Sequence, residues 1–209
     1  MNLKSAIAEV NKRGALLVFP IKNRKDPLSL WHHFYPRSEM KWEWDDDGDH
    51  RVADLWHLRE KLSSSGQVIY VKWFQNRATL ISRELYPSLL KVVGAPLSRE
   101  AEEMYDVLCD NSPLSTKQLK EMMDLKGPFF EKEYNQRTKE LWKRLQIVGV
   151  GEVDDGAFPS LAIAAAKLYF EEEWLTSQKL TKDAALSHIL RCLGEKNLFY
   201  RYALKIASN

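Results

Sequence analysis

The chain is poor in cysteine and has no long apolar run. Only Cys109 and Cys192 occur among its 209 residues, and each falls in a segment with helical periodicity. We therefore expect no disulfide framework and no cysteine-rich metal site, but two buried thiols in a reduced cytoplasm. No stretch approaches the ~20 apolar residues of a membrane span. The segment MNLKSAIAEVNKRG also lacks the apolar centre of a signal peptide, so no membrane partner is expected.

Neither sign of charge dominates. The chain has 31 Lys and Arg residues, 29 Asp and Glu residues and a formal charge of +2. This balance does not by itself indicate nucleic acid binding. The hydrophobic content of 44% predicts a globular chain, and 209 residues allow one large or two small domains. No cofactor is expected.

The central segment, residues 114–159, predicts a winged helix-turn-helix. Ser115 and Gln118 have the spacing of a capping box, which starts a short helix. Gly127 ends that helix and Pro128 suits the first turn of the next. Residues 147–153 and 158–162 then predict a hairpin, turned at Asp155-Gly156, that would be the wing.

The second helix of this segment has two different faces. The buried face is predicted to hold Tyr134, Thr138, Leu141 and Leu145. At about 100° per residue, one narrow arc of the opposite face contains Lys132, Gln136, Lys139 and Lys143. These side chains could contact the phosphates and base edges of duplex DNA, or they could form an ordinary solvated face. The predicted wing tip is acidic, with Glu152, Asp154 and Asp155, so DNA binding is expected to be weak.

The segments around this module complete an α+β fold. Strands are predicted at residues 15–21, 67–74 and 78–82, forming a small antiparallel sheet. Helices are predicted to cover that sheet, at residues 2–12, 28–35 and 83–92. Gly94-Ala95-Pro96 predicts a boundary. The domains would then be an α+β domain at 1–95, the winged helix at 96–164 and a helical tail at 165–209.

Residues 37–61 form an acidic segment rich in tryptophan. Asp49 is placed to cap a helix whose inner face would include Leu55 and Trp56, with Trp56 buried. An alternative interpretation is a calcium loop, because five residues occupy loop positions 1, 3, 5, 6 and 12. They are Glu43, Asp45, Asp47, Gly48 and Asp54. Positions 1 and 12 depart from the pattern and no helix precedes it, so we expect no tight metal site.

The same segment also supports an enzyme hypothesis. A catalytic or ligand cleft could be lined by Arg37, Trp44, Asp45, Asp47 and His50, with His57 nearby. No nucleophile stands at a diagnostic spacing from these groups. A structural role, in which the tryptophans pack and the basic groups pair with the acids, is the simpler alternative.

Four stretches of the chain carry a resemblance to a known family. They read SLWHHFYPRSEMKWEWDDDGDHRVADLWHLREKL, KWFQNRATLISRELYPSLL, PLSTKQLKEMM and ELWKRLQIVGVGEVDDGAFPSLA. In pattern and order they resemble the AlkZ-related branch of the winged-helix DNA glycosylase-like proteins, over roughly residues 15–175. The resemblance implies winged-helix modules that bind duplex DNA, in proteins related to the excision of alkylated or crosslinked bases.

The catalytic signature of those glycosylases does not occur in this chain. The signature is a Q-x-Q pair that positions a water molecule. In this chain no two glutamines are separated by a single intervening residue. We therefore expect a nucleic-acid-associated protein related to DNA repair that binds without glycosylase catalysis. The alternatives are an enzyme using the acidic cleft and a protein-interaction module that has lost contact with DNA.

Overall fold

A computed structural model of the chain describes residues 2–42, 49–94, 96–155 and 159–208. Within these residues the protein has eleven α-helices and one antiparallel sheet of five strands. The predicted α+β class is therefore confirmed. The helices are α1 Leu3–Arg13, α2 Leu30–Phe34, α3 His50–Ser64, α4 Tyr86–Val93, α5 Arg99–Asn111, α6 Thr116–Met122, α7 Glu131–Lys143, α8 Ala166–Tyr169, α9 Glu171–Lys179, α10 Lys182–Leu193 and α11 Leu198–Ala207. The strands are β1 Ala15–Leu17, β2 Val68–Val71, β3 Thr79–Ser82, β4 Ile147–Val153 and β5 Ser160–Ala165.

The sheet is larger than the three strands predicted for the amino-terminal region. Its order is β1-β3-β2-β4-β5, so the β4–β5 hairpin extends the sheet at β2. The two parts meet where Tyr70 pairs with Gly149. A Cβ atom at position 149 would lie 2.5 Å from Tyr70 Cδ1, so the close approach requires glycine there. Strands from both sides of the predicted boundary at residue 95 thus share one sheet, and the division into domains stays a prediction.

Alternation along the strands creates a core on each side of the sheet. Leu16, Val68 and Tyr70 belong to the core that α1, α2 and α3 cover. Leu17 and Ile69 belong to the other core, which contains side chains from α4, α5, α7, α10 and α11. The helices therefore lie in two layers with the sheet between them, and the second core is the larger one.

The helix starts predicted at residue 2, after Asp49 and at Ser115 are confirmed by their caps. The side chains of Asn2 and Asp49 each accept a hydrogen bond from a backbone N–H in the first turn of the helix that follows, and Ser98 and Thr181 cap α5 and α10 in the same way. Ser115 forms both halves of the predicted capping box with Gln118. These residues hold α1, α3, α5, α6 and α10 at their amino ends.

Other predictions are wrong. Trp56 is 49% exposed, because the buried stripe of α3 runs through Leu55, Leu58 and Leu62 and leaves Trp56 at its margin. Cys192 is exposed and Cys109 is only half-buried. The strand predicted at 15–21 ends at Leu17.

Within the described residues, no helix combines the length and apolar composition that crossing a bilayer requires. Most of the residues with calcium-loop spacing, Glu43, Asp45, Asp47 and Gly48, lie outside the described residues.

Candidate functional site

A basic cleft lies where three parts of the chain meet. Its volume is about 400 Å³. One wall comes from α7, a second from the turn after β2 and the third from α11. The lining residues are Lys72, Trp73, Gln75, Asn76, Lys139, Lys143, Tyr202, Lys205 and Ile206. We refer to this site as the basic cleft.

The turn after β2 places Gln75 and Asn76 in an unusual backbone conformation. Their φ angles are 52° and 59°, the left-handed region that few non-glycine residues adopt. Thr79 stabilises the turn, since its hydroxyl donates to the carbonyl of Arg77 at 2.8 Å and accepts from the N–H of Phe74 at 3.3 Å. Such conformations cost about 1–3 kcal/mol each and occur preferentially at functional sites.

An aromatic cluster joins α11 to this turn. Trp73 is fully buried, with its ring 6.3 Å from that of Phe199 and 5.4 Å from that of Tyr202. Burial raises the pKa of the Tyr202 phenol, so it remains a neutral donor. Among the described residues, the indole Nε1 of Trp73 has no hydrogen-bond partner. The cluster fixes the position of α11, and with it Lys205.

The four lysines of the basic cleft are not neutralised by nearby acids. In the part of the chain that the structure describes, none of Lys72, Lys139, Lys143 and Lys205 has a carboxylate oxygen within 4.0 Å. Burial lowers the pKa of the Lys72 ammonium, and the charge of Arg59 lowers it further. A bound anion would offset both effects. The arrangement can therefore bind a phosphate or another anion.

The structure separates the four residues predicted for DNA contact. Lys139 and Lys143, one turn apart on α7, both line the basic cleft. Lys132 is exposed and lies outside it. Gln136 instead borders a second depression, of about 360 Å³, on the side of α7 that faces α5. That depression is lined by Ser98, Glu100, Glu133, Gln136, Arg137 and Glu140.

Sequence reasoning missed Lys72, Lys205 and the Gln75-Asn76 turn. Lys72 lies within the strand predicted at 67–74 and directly follows the observed β2, but nothing in the local pattern relates it to α7. Lys205 lies on a helix whose position depends on the aromatic contacts of Phe199 and Tyr202.

Two of the three acidic groups predicted at the wing tip have partners. Glu152 lies 2.5 Å from Arg59, whose side chain is only 3% exposed. Hydrogen bonding by the Ser115 and Ser160 hydroxyls lowers the pKa of Asp155. Lys117 also donates to the backbone carbonyl of Asp155 at 3.4 Å. The hairpin is therefore less repulsive to an anion than its sequence indicates.

The predicted acidic cleft is described only in part. Arg37 and His50 are both exposed, while Trp44, Asp45 and Asp47 lie outside the described residues. Asp54 and His57 do line a depression of about 410 Å³, together with Leu3 and three further residues of α3. The polar groups of that depression come from a single helix.

Comparison with known proteins agrees with the resemblance carried by the four stretches. The sequence model of a family described as AlkZ related matches residues 1–198, more than the span of 15–175 expected from the motifs. No curated protein and no solved structure matches the chain. Because the match covers nearly the whole sequence, the chain belongs to the AlkZ-related family.

Proposed function

We propose that this protein acts in a DNA-repair context by binding duplex DNA, with the basic cleft contacting the phosphate backbone and without glycosylase catalysis. The observation that carries the proposal is the convergence of four lysines from three separate elements, none with a carboxylate within 4.0 Å in the described residues. A phosphate backbone is the extended anion that such a surface fits. The family relationship supports the same choice.

The proposed binding unit is a winged helix formed by α5, α6, α7 and the β4–β5 hairpin. Their order along the chain is the one that this module requires. The segment between α5 and α6 joins the hairpin through a single antiparallel β-bridge, because Leu114 and Ile163 exchange two backbone hydrogen bonds of 2.9 and 2.8 Å. In this arrangement α7 is the helix that would meet DNA.

We infer that the carboxyl-terminal half of α7 makes the contact. Glu131 and Glu133 stand in its first turn, and they pair with Lys120 and Arg137. Those basic groups are therefore already engaged. Lys139 and Lys143 lie toward the other end of the helix, beside Lys205. Lysines act there as point charges, which favours contact with phosphates over bases.

A protein partner is the second candidate. Trp42 and Trp56 are 36% and 49% exposed, and both rings lie close to Phe19, at 5.5 and 6.3 Å. An exposed aromatic cluster of this kind suits a protein-interaction surface. The basic cleft is formed by other residues. Its four lysines and the family relationship both support DNA binding, so we rank DNA binding first. The two free cysteines support a reducing compartment, and we propose the cytoplasm.

The test is fluorescence anisotropy of a labelled DNA duplex at low salt. The wild type should bind, and the variant Lys139→Gln/Lys143→Gln/Lys205→Gln should bind at least tenfold more weakly. The matched control is Lys12→Gln/Lys179→Gln/Lys182→Gln, which removes the same charge from exposed positions outside the cleft. Circular dichroism checks that both variants fold. Equal affinity of the two triple variants would contradict the proposed interface.

A further inference from the structure

We propose that Glu84, His188 and Cys192 form a binding site for a zinc ion, separate from the basic cleft. The three side chains come from two places in the fold. Glu84 precedes α4, while His188 and Cys192 are one turn apart on α10. One donor atom from each lies within 4.8 Å of the other two.

Two of the distances between these donors are close to those of a tetrahedral zinc site. Cys192 Sγ lies 3.3 Å from His188 Nε2, and Glu84 Oε1 lies 3.7 Å from the same nitrogen. With zinc–nitrogen and zinc–oxygen bonds of about 2.1 Å and a zinc–sulfur bond of about 2.3 Å, tetrahedral geometry separates nitrogen from sulfur by about 3.6 Å and nitrogen from oxygen by about 3.4 Å. These two distances therefore lie within a few tenths of an ångström of the tetrahedral values, and the sulfur–oxygen distance is at most 4.8 Å.

The histidine is also oriented as a metal ligand would be. Its Nδ1 atom lies 2.8 Å from the hydroxyl of Ser88, a residue on α4 that is 2% exposed. This contact holds the ring with Nε2 facing Cys192 and Glu84. Metal-binding histidines almost always have such a partner on their second nitrogen, and the partner fixes the ring and its tautomer.

The donor set selects the metal. A thiolate with an imidazole favours zinc over magnesium or calcium, which prefer oxygen ligands. Three protein ligands leave a fourth position for water. Because Glu84 and Ser88 belong to the α4 region and the other two donors to α10, the ion would join these two segments of the larger core.

The test uses the full-length protein, reduced and freed of metal, titrated with Zn²⁺ in competition with a chromophoric chelator. We expect one equivalent of zinc to bind. Substitution of Co²⁺ should give the charge-transfer absorption of a cobalt–thiolate bond and the visible bands of a tetrahedral site. Zinc should also raise the melting temperature of the protein.

The variants separate this site from adventitious binding. Cys192→Ser should abolish the cobalt–thiolate band, and Glu84→Gln, at an exposed position, should weaken zinc binding without unfolding the protein. Ser88→Ala should weaken binding by about 10–100-fold if the hydroxyl orients His188. Cys109→Ser is the matched control and should bind as the wild type does. Zinc binding below one equivalent, or binding that survives Cys192→Ser and Glu84→Gln unchanged, would overturn the proposal.

Discussion

Arg59 on α3 and Glu152 on β4 form an ion pair of 2.5 Å across the sheet junction. The arginine is 3% exposed and the glutamate 20%. The guanidinium also lies 4.3 Å from the centre of the Trp56 ring and 5.6 Å from that of Tyr70. Arg59 therefore connects the amino-terminal helices to the hairpin and neutralises a carboxylate that would otherwise repel an anion.

Removing the glutamate charge should destabilise the protein substantially. Glu152→Gln leaves the Arg59 guanidinium buried without its counter-ion, and breaking a buried pair in this way costs about 3 kcal/mol. Urea unfolding measures the change. The control is Arg99→Gln, which breaks a pair whose arginine is 87% exposed and should cost less than about 0.5 kcal/mol. Similar costs for the two variants would show that the Arg59–Glu152 pair is not a stabilising contact.

Trp56→Ala should cost much less than the loss of a buried tryptophan. Trp56 is half exposed and contributes mainly its contacts with Arg59 and Phe19, so we expect about 1 kcal/mol. Trp73→Ala, at a fully buried position, should cost about 3–5 kcal/mol. The midpoints of denaturant unfolding compare the two variants directly. Equal shifts would contradict the position of Trp56 at the margin of the buried stripe of α3.

The Asp49 cap should make stability depend on pH in the acid range. The Arg51 hydrogen bond to its side chain lowers the pKa of Asp49 below its ordinary value of 3.8. A lowered folded-state pKa contributes stability that is present above pH 3.8 and is lost as the pH falls through the folded-state pKa. Asp49→Asn keeps a capping oxygen but cannot ionise, so its stability deficit at pH 6 should shrink at lower pH. Thermal melts of the wild type and the variant, from pH 6 downward, measure the difference in stability. A difference that is independent of pH would contradict the account.

The sequence predicted those features of the fold that depend on residues close together in the chain. Asp49 and Ser115 cap their helices through atoms two or three residues away, so the sequence was sufficient to find them. Trp56 was placed wrongly because it adjoins Leu55 on the helix, and the periodicity does not define where a buried stripe ends. The pairing of Tyr70 with Gly149 depends on a contact between distant segments that no local pattern encodes.

The basic cleft and the proposed zinc site also depend on contacts between distant segments of the chain. The spacing of Lys139 and Lys143 on one helical face was readable from the sequence, but Lys72 and Lys205 join them only through the fold. His188 and Cys192 have helical spacing, but these two residues alone do not indicate a metal site. The third residue, Glu84, lies about a hundred residues earlier in the chain. Convergence of distant side chains therefore had to come from the structure.

The protein should not release alkylated bases from DNA. The prediction rests on the absence of a Q-x-Q pair in the sequence. Incubation with a methylated or crosslinked duplex, followed by alkaline cleavage of abasic sites, is the direct assay. Strand breaks that depend on the protein would contradict the prediction and would make catalysis part of its function.

The salt dependence of duplex binding tests the central claim most directly. If Lys139, Lys143 and Lys205 each contact a phosphate, their joint replacement by glutamine should flatten the slope of log K against log salt by about 2.7, at roughly 0.9 per contact. Lys132→Gln and Gln136→Ala, outside the basic cleft, should leave the slope nearly unchanged. A triple variant that keeps the wild-type slope, or a wild type that does not bind duplex DNA at low salt, would contradict the account.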